Sequence, residues 1–356
     1  MTLDEISPEI FAAWREPREG TENPTRLDNP LWAALVREPF DERRLNAYQV
    51  NKRFGHQRRP YGKPTWCFDR FGQSQTALAD GRTIYIAGEH EDYYDPDFFI
   101  YNDVAVVAPD ATVAFYGYPH AVFPPTDFHT ATLAGDHLWL VGSLGYADAR
   151  RPGVTQVCRL DLRTLAIELL ATTGDAPGWL HKHDARLDGG AIAVRGGLVD
   201  RGPDAPFDEN IDEWALDLAS LAWTRRTQLD WQRWALRRVD AERSQLWEIR
   251  QLAWQREHKL ALGVDYAAKL VEELGAEPDV ALLDGLYGAP ELASREDDDF
   301  NLRRIEIDGV IVRIKEESYR VAFVVEGKLA EDRVRALQAH MLARLGALHV
   351  APWQLE

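Results

Sequence analysis

Ser74-Gln75-Thr76-Ala77-Leu78, then Asp80-Gly81, then Thr83-Ile84-Tyr85-Ile86-Ala87-Gly88 reads as two short strands around a tight turn, the second strand stopping at glycine. The pattern returns as His129-Thr130-Ala131-Thr132-Leu133, Gly135-Asp136 and His137-Leu138-Trp139-Leu140-Val141-Gly142. It returns again as His183-Asp184-Ala185-Arg186-Leu187, Asp188-Gly189-Gly190 and Ala191-Ile192-Ala193-Val194-Arg195-Gly196-Gly197. Leu78, Leu133 and Leu187 are 55 and 54 residues apart, so the chain repeats itself through its middle, from about Phe71 to Trp223.

Each repeat continues in the same way. After the glycine comes a polar loop, then a third strand: Asp103 to Val107, Gln156 to Leu160, and Glu213 to Leu216. A turn containing Asp follows (Asp110, Asp161, Asp217), and then a fourth strand near Val113 to Phe115, Leu165 to Leu169 and Leu221 to Thr224. Four antiparallel strands per period of roughly 50 residues is the pattern of a propeller blade.

On these residues the middle of the chain resembles the Kelch repeat. His129 and His183 stand where that family opens its first strand with His-Ser or a similar pair, and Ser74 takes the place in the first repeat. Gly196-Gly197 matches the family's Gly-Gly, and Asp217 with Trp223 matches its Asp and Trp around the last turn. The first two repeats depart from it, with a single Gly88 or Gly142 and no Trp in strand four. The expected fold is therefore mainly β: a Kelch-like β-propeller portion of three clear blades, a helical segment, and a small C-terminal α+β unit. Three blades do not close a propeller. Trp231 to Leu236 is the candidate start of a degenerate fourth, and the N-terminal segment is a candidate donor of a strand.

The boundaries read as 1–64, a proline-punctuated cap with short helices at Pro8 to Trp14 and Pro30 to Val36; 65–240, the blades; 241–294, helical; and 295–356, a βββαβ unit. In the last, Asp308-Gly309 is a strong hairpin turn, and Val334, Leu337, Met341 and Leu345 mark one face of a helix.

The net charge of −17 disfavours nucleic acid and suits a basic protein partner. Cys67 and Cys158 are too few for a disulfide scaffold and read as buried thiols of a reducing compartment. The N-terminus has no secretory pattern, and no stretch approaches the ~18 apolar residues of a membrane span, so a cytoplasmic protein without a membrane partner is expected. Oligomeric state is not encoded in any pattern.

The loops after the strand-ending glycines carry the candidate binding residues: Glu89, Asp92, Tyr93, Tyr94, Asp95 and Phe98 in the first repeat, and Asp200, Asp204, Asp208 and Glu209 in the third. Acid and aromatic side chains together suit a protein interface. His181 and His183 point to one face of a strand, with His129 at the equivalent place in the preceding repeat; three imidazoles are a candidate metal set, against the commoner structural role of a repeat histidine. No cofactor is expected. Neither a Gly-x-Ser-x-Gly elbow, a P-loop, a dinucleotide fingerprint nor His-Glu-x-x-His is present. The expectation is a non-enzymatic binding protein, one version being an immunity- or antitoxin-like protein. The resemblance also implies an alternative, because Kelch proteins include oxidases and sugar mutarotases. An enzyme acting on a sugar or small polar molecule would use His129, Trp179, His181 and Arg195, or a copper set drawn from Cys67, Tyr85, His129 and His181.

Overall fold

The computed structural model describes residues 2–37, 47–57, 63–90, 98–202, 207–259, 263–295 and 299–356. The described residues are mainly β, with 24 strands and six α-helices. Contacts divide the chain into two compact units, 1–228 and 229–356.

The first unit holds three antiparallel meanders, one per repeat. Ser74–Ala77, Thr83–Ile86, Asp103–Val107 and Val113–Gly117 form the first; Thr130–Ala134, His137–Val141, Val157–Asp161 and Ile167–Leu169 the second; Asp184–Asp188, Ala191–Arg195, Trp214–Asp217 and Ala222–Arg225 the third. The N-terminal segment does add a strand. Thr25–Leu27 pairs with Val113–Gly117 at the far edge of the first sheet. The same segment touches the second sheet through a side chain. Asn23 accepts the Ile167 N–H at 2.9 Å and donates to the Ile167 carbonyl at 2.7 Å, doing the work of one residue of a neighbouring strand.

Layering explains the composition of the strands. In the second sheet, Leu138 and Leu140 face Ile84, Ile86, Val104 and Val106 of the first. Trp139 and Val141 face the other way, onto Ile192, Val194 and Leu216 of the third. A strand buried on both faces reads as the unbroken apolar run Leu138-Trp139-Leu140-Val141. The third sheet is covered on one face only, so Ile192 and Val194 alternate with Ala191, Ala193 and Arg195. Its other face carries Asp184 with Arg195 at 3.6 Å, Arg186 with Glu213 at 3.6 Å, and Arg226 with Asp188 at 2.6 Å. The first sheet's outer face, with Tyr85, Ala105 and Phe115, is packed under Phe11, Leu31, Trp32 and Leu35 of the helices Pro8–Trp14 and Pro30–Arg37. Ser7 and Asn29 cap those helices with their side-chain oxygens.

The first strands of the three sheets lie side by side, joined by a repeated seam. Phe128 donates its N–H to the Gly72 carbonyl at 3.0 Å, and Lys182 donates to the Phe128 carbonyl at 2.9 Å. Gly72, Phe128 and Lys182 all have positive φ, at 63°, 46° and 54°. A Cβ at Gly72 would lie 2.3 Å from the Phe128 nitrogen, so only glycine fits the first rung.

In the second unit a five-stranded antiparallel sheet runs in the order Leu302–Ile307, Val310–Glu316, Val321–Val325, Arg233–Arg238, Trp353–Leu355. Trp231 to Leu236 therefore begins no fourth repeat. Its strand pairs with Val321–Val325 and Trp353–Leu355 in the C-terminal sheet, and the helical segment and the βββαβ unit share one core with it. Asp308 and Gly309 turn the hairpin with φ of 51° and 80°. Leu337, Met341 and Leu345 of helix Glu331–His349 and Leu246, Ile249 and Leu252 of helix Leu246–His258 fill that core. His349 accepts the Gln245 N–H at 3.0 Å, closing the start of the latter helix. No helix among the described residues is long and apolar enough to cross a membrane.

Candidate functional site

The connections between second and third strands meet at one end of the three sheets. In the first repeat, Glu89–His90 and Phe99–Ile100 extend the hairpin; in the third, Leu198–Asp200 and Asp208–Glu209 do so. The second repeat lies between them as turns. Tyr146 of that loop accepts the Ile100 N–H at 2.9 Å and meets the Phe98 ring edge-on, 5.9 Å between centroids. Arg150 of the same loop reaches the other way, pairing with Asp200 at 3.1 Å and standing 5.3 Å from the Phe207 ring centroid. Adjacent loops are thus tied in sequence by a tyrosine and an arginine.

Asp127 sits beneath these loops and is fully buried. Its Oδ1 accepts the Gly145 N–H at 2.6 Å and the Ser143 hydroxyl at 3.3 Å, while its Oδ2 has no hydrogen-bond partner. Trp179 donates to the Leu144 carbonyl at 2.9 Å, and Gln156 to the Thr126 hydroxyl at 2.9 Å, so the floor of the loop cluster is polar and ordered. Burial raises the Tyr146 phenol above its usual value, and the surrounding carboxylates Asp127, Asp148 and Glu89 push the same way.

The residues expected to bind fall into four groups. Phe98 is 43% exposed on the loop rim. Glu89 and Asp200 are not surface acids: both are buried, and Asp200 is neutralised by Arg150 and also accepts the Gly202 N–H at 2.7 Å. Asp208 pairs with Arg201 at 3.3 Å, and Glu209 is half-buried beside it in the Asp208–Glu209 strand. Asp92, Tyr93, Tyr94, Asp95 and Asp204 lie outside the described residues. Asp127, Tyr146, Arg150 and Phe207, which hold the loops together, carry no motif. A sequence signal exists only in hindsight, in that Asp127 stands two residues before the strand-opening His129.

The histidines serve the seam. His129 Nε2 is 2.8 Å from the Ser74 hydroxyl, and His183 Nε2 is 3.0 Å from the Thr130 hydroxyl, each linking one sheet to the next. His181 packs edge-on against Phe207, 4.9 Å between centroids. Burial lowers all three, His129 and His181 to about 4 and His183 to about 3, so the rings are neutral at pH 7. Among the described residues no group of three His, Cys, Asp or Glu side chains converges as a metal site, and this corrects the candidate set His129, His181, His183. Of the copper set, Tyr85 lies in the core beneath the N-terminal helices, on the face of its strand opposite the second sheet.

No family model and no curated protein matches this chain. Among solved structures it has a likeness to one titled "Structure of YjhT", at 14% identity and a TM-score of 0.35. The match covers 46% of this chain and 56% of that one, less than two thirds of its length.

Proposed function

We propose that this is a cytoplasmic binding protein built on three Kelch-like blades of an open propeller array, and that the converging loops take a basic protein partner in the manner of an immunity- or antitoxin-like protein. The observation that carries the reading is the loop rim itself. Phe98 and Phe207, each 43% exposed, flank Tyr146 and Arg150 above a buried carboxylate oxygen that has no donor. Exposed rings on an ordered frame are good anchors, and an unmatched carboxylate favours a cationic group nearby. The overall charge of −17 adds long-range attraction for such a partner.

The test is titration of the full chain with lysine- and arginine-rich peptides at low and moderate salt. Binding should weaken with salt, and Phe98→Ala or Phe207→Ala should weaken it about tenfold. Equal binding by an acidic control peptide would sink the reading. A second reading rests on the buried polar group of Asp127, Ser143 and His181: an enzyme handling a sugar or other small polar molecule at the same end. Turnover of any member of a sugar panel, by oxidation or by anomer exchange, would select it.

A further inference from the structure

Cys67 and Cys158 are equally hidden, at 2% and 1% exposure, yet their surroundings differ in kind. Cys158 lies among Leu138, Leu140, Leu160 and Ile167, and burial pushes its thiol up to about 12. Cys67 lies in a polar cluster on the first repeat. Its Sγ is 3.3 Å from His90 Nδ1 and 3.9 Å from the Tyr101 hydroxyl. The Tyr101 hydroxyl also accepts the Cys67 N–H at 3.4 Å. Arg70 donates to the Cys67 carbonyl at 2.8 Å and lies over the Tyr101 ring, 3.4 Å from its centroid. Burial opposes the charge on Arg70, but Asp103, at 2.5 Å and 3.0 Å, holds it cationic. A thiol with an imidazole in reach has a base to take its proton.

We propose that Cys67 is a reactive thiol, the place on this chain where a small peroxide is reduced and the sulfur becomes a sulfenic acid, with His90 as its base. The step balances. His90 takes the thiol proton, and the thiolate attacks one oxygen of hydrogen peroxide. The S–O bond forms as the O–O bond breaks, and the departing hydroxide takes the proton back from the imidazolium to leave as water. Sulfur is oxidised by two electrons and the peroxide is reduced by the same two. Hydrogen peroxide is close to water in size, and the matched burial of the two cysteines leaves chemistry rather than access to separate them.

The experiment exposes the full reduced chain to hydrogen peroxide at pH 7, quenches with catalase, unfolds it, alkylates the remaining thiols and measures each cysteine by peptide mass spectrometry. Cys67 should be lost at least about tenfold faster than Cys158, and His90→Asn should remove that advantage. Equal rates at the two cysteines in the unsubstituted chain would overturn the proposal without need of a variant. If His90→Asn folds, as judged by its circular dichroism, and keeps the fast rate, the role of His90 is overturned. If it does not fold, the pH profile of the unsubstituted chain decides: a Cys67 rate that falls as steeply below pH 8 as that of a free thiol overturns the pair.

Discussion

Lys182 lays its ammonium over the ring of Phe128, 4.4 Å from the centroid, while its backbone N–H bonds the carbonyl of that same residue. Two repeats are joined by main chain and side chain at one point, one rung above the contact between Phe128 and Gly72.

The lower rung gives the sharpest prediction. Gly72→Ala places a methyl group on the Phe128 backbone at a positive φ. It should destabilise the first unit by about 3 kcal/mol or more, read as a lower urea midpoint. A change below about 1 kcal/mol would mean that the seam is looser than described.

The seam histidines make the first unit sensitive to acid. His129 and His183 titrate near 6.5 when unfolded but are held down to about 4 and about 3 when folded. Between those values the unfolded chain binds more protons. Stability is therefore full above about pH 6.5 and falls as pH drops toward 4 and 3, by up to a few kcal/mol. The urea midpoint between pH 7 and 4 checks this, and His183→Asn should flatten the curve in that window.

Asn23 stands in for a strand against Ile167. Asn23→Ala removes one donor and one acceptor, and should cost about 1–2 kcal/mol with faster amide exchange at Ile167. Unchanged exchange there would show the contact to be dispensable.

In the second unit, Glu316 is buried among Arg250, Tyr287 and Arg303, with Arg250 at 2.7 Å and a hydrogen bond from the Tyr287 hydroxyl. Glu316→Gln leaves the Arg250 guanidinium short of its counter-charge. A loss of about 3 kcal/mol is expected in thermal or urea unfolding, whereas Glu331→Gln, an exposed pair with Arg335, should change little.

Much of this architecture is readable from residues alone, because a strand, a turn and a strand ending at glycine leave local marks. Repetition at 54 and 55 residues then multiplies a weak signal threefold. Trp231 to Leu236 reads as a strand but is placed in the wrong sheet, because its partners at 321–325 and 353–355 lie more than 80 residues away and alternation alone does not choose a sheet. The acid-rich loops misled for a related reason. Asp200 looks like a surface charge until Arg150, 50 residues earlier, is brought beside it. Cys67 and His90 likewise share no motif, since a loop and the short strand Glu89–His90, 23 residues apart, bring them together.

The two outer faces of the three-sheet stack are chemically unlike. One is sealed by Phe11, Leu31 and Trp32, and the other bears rows of paired Asp, Glu and Arg. A stack of similar layers with matching ends would be a template for its own copies and would grow into a filament. Here the end that resembles an interior sheet is already covered, and the open end presents ion pairs that lose hydration on contact. The chain thus uses a self-similar plan whose two end layers, among the described residues, do not match each other.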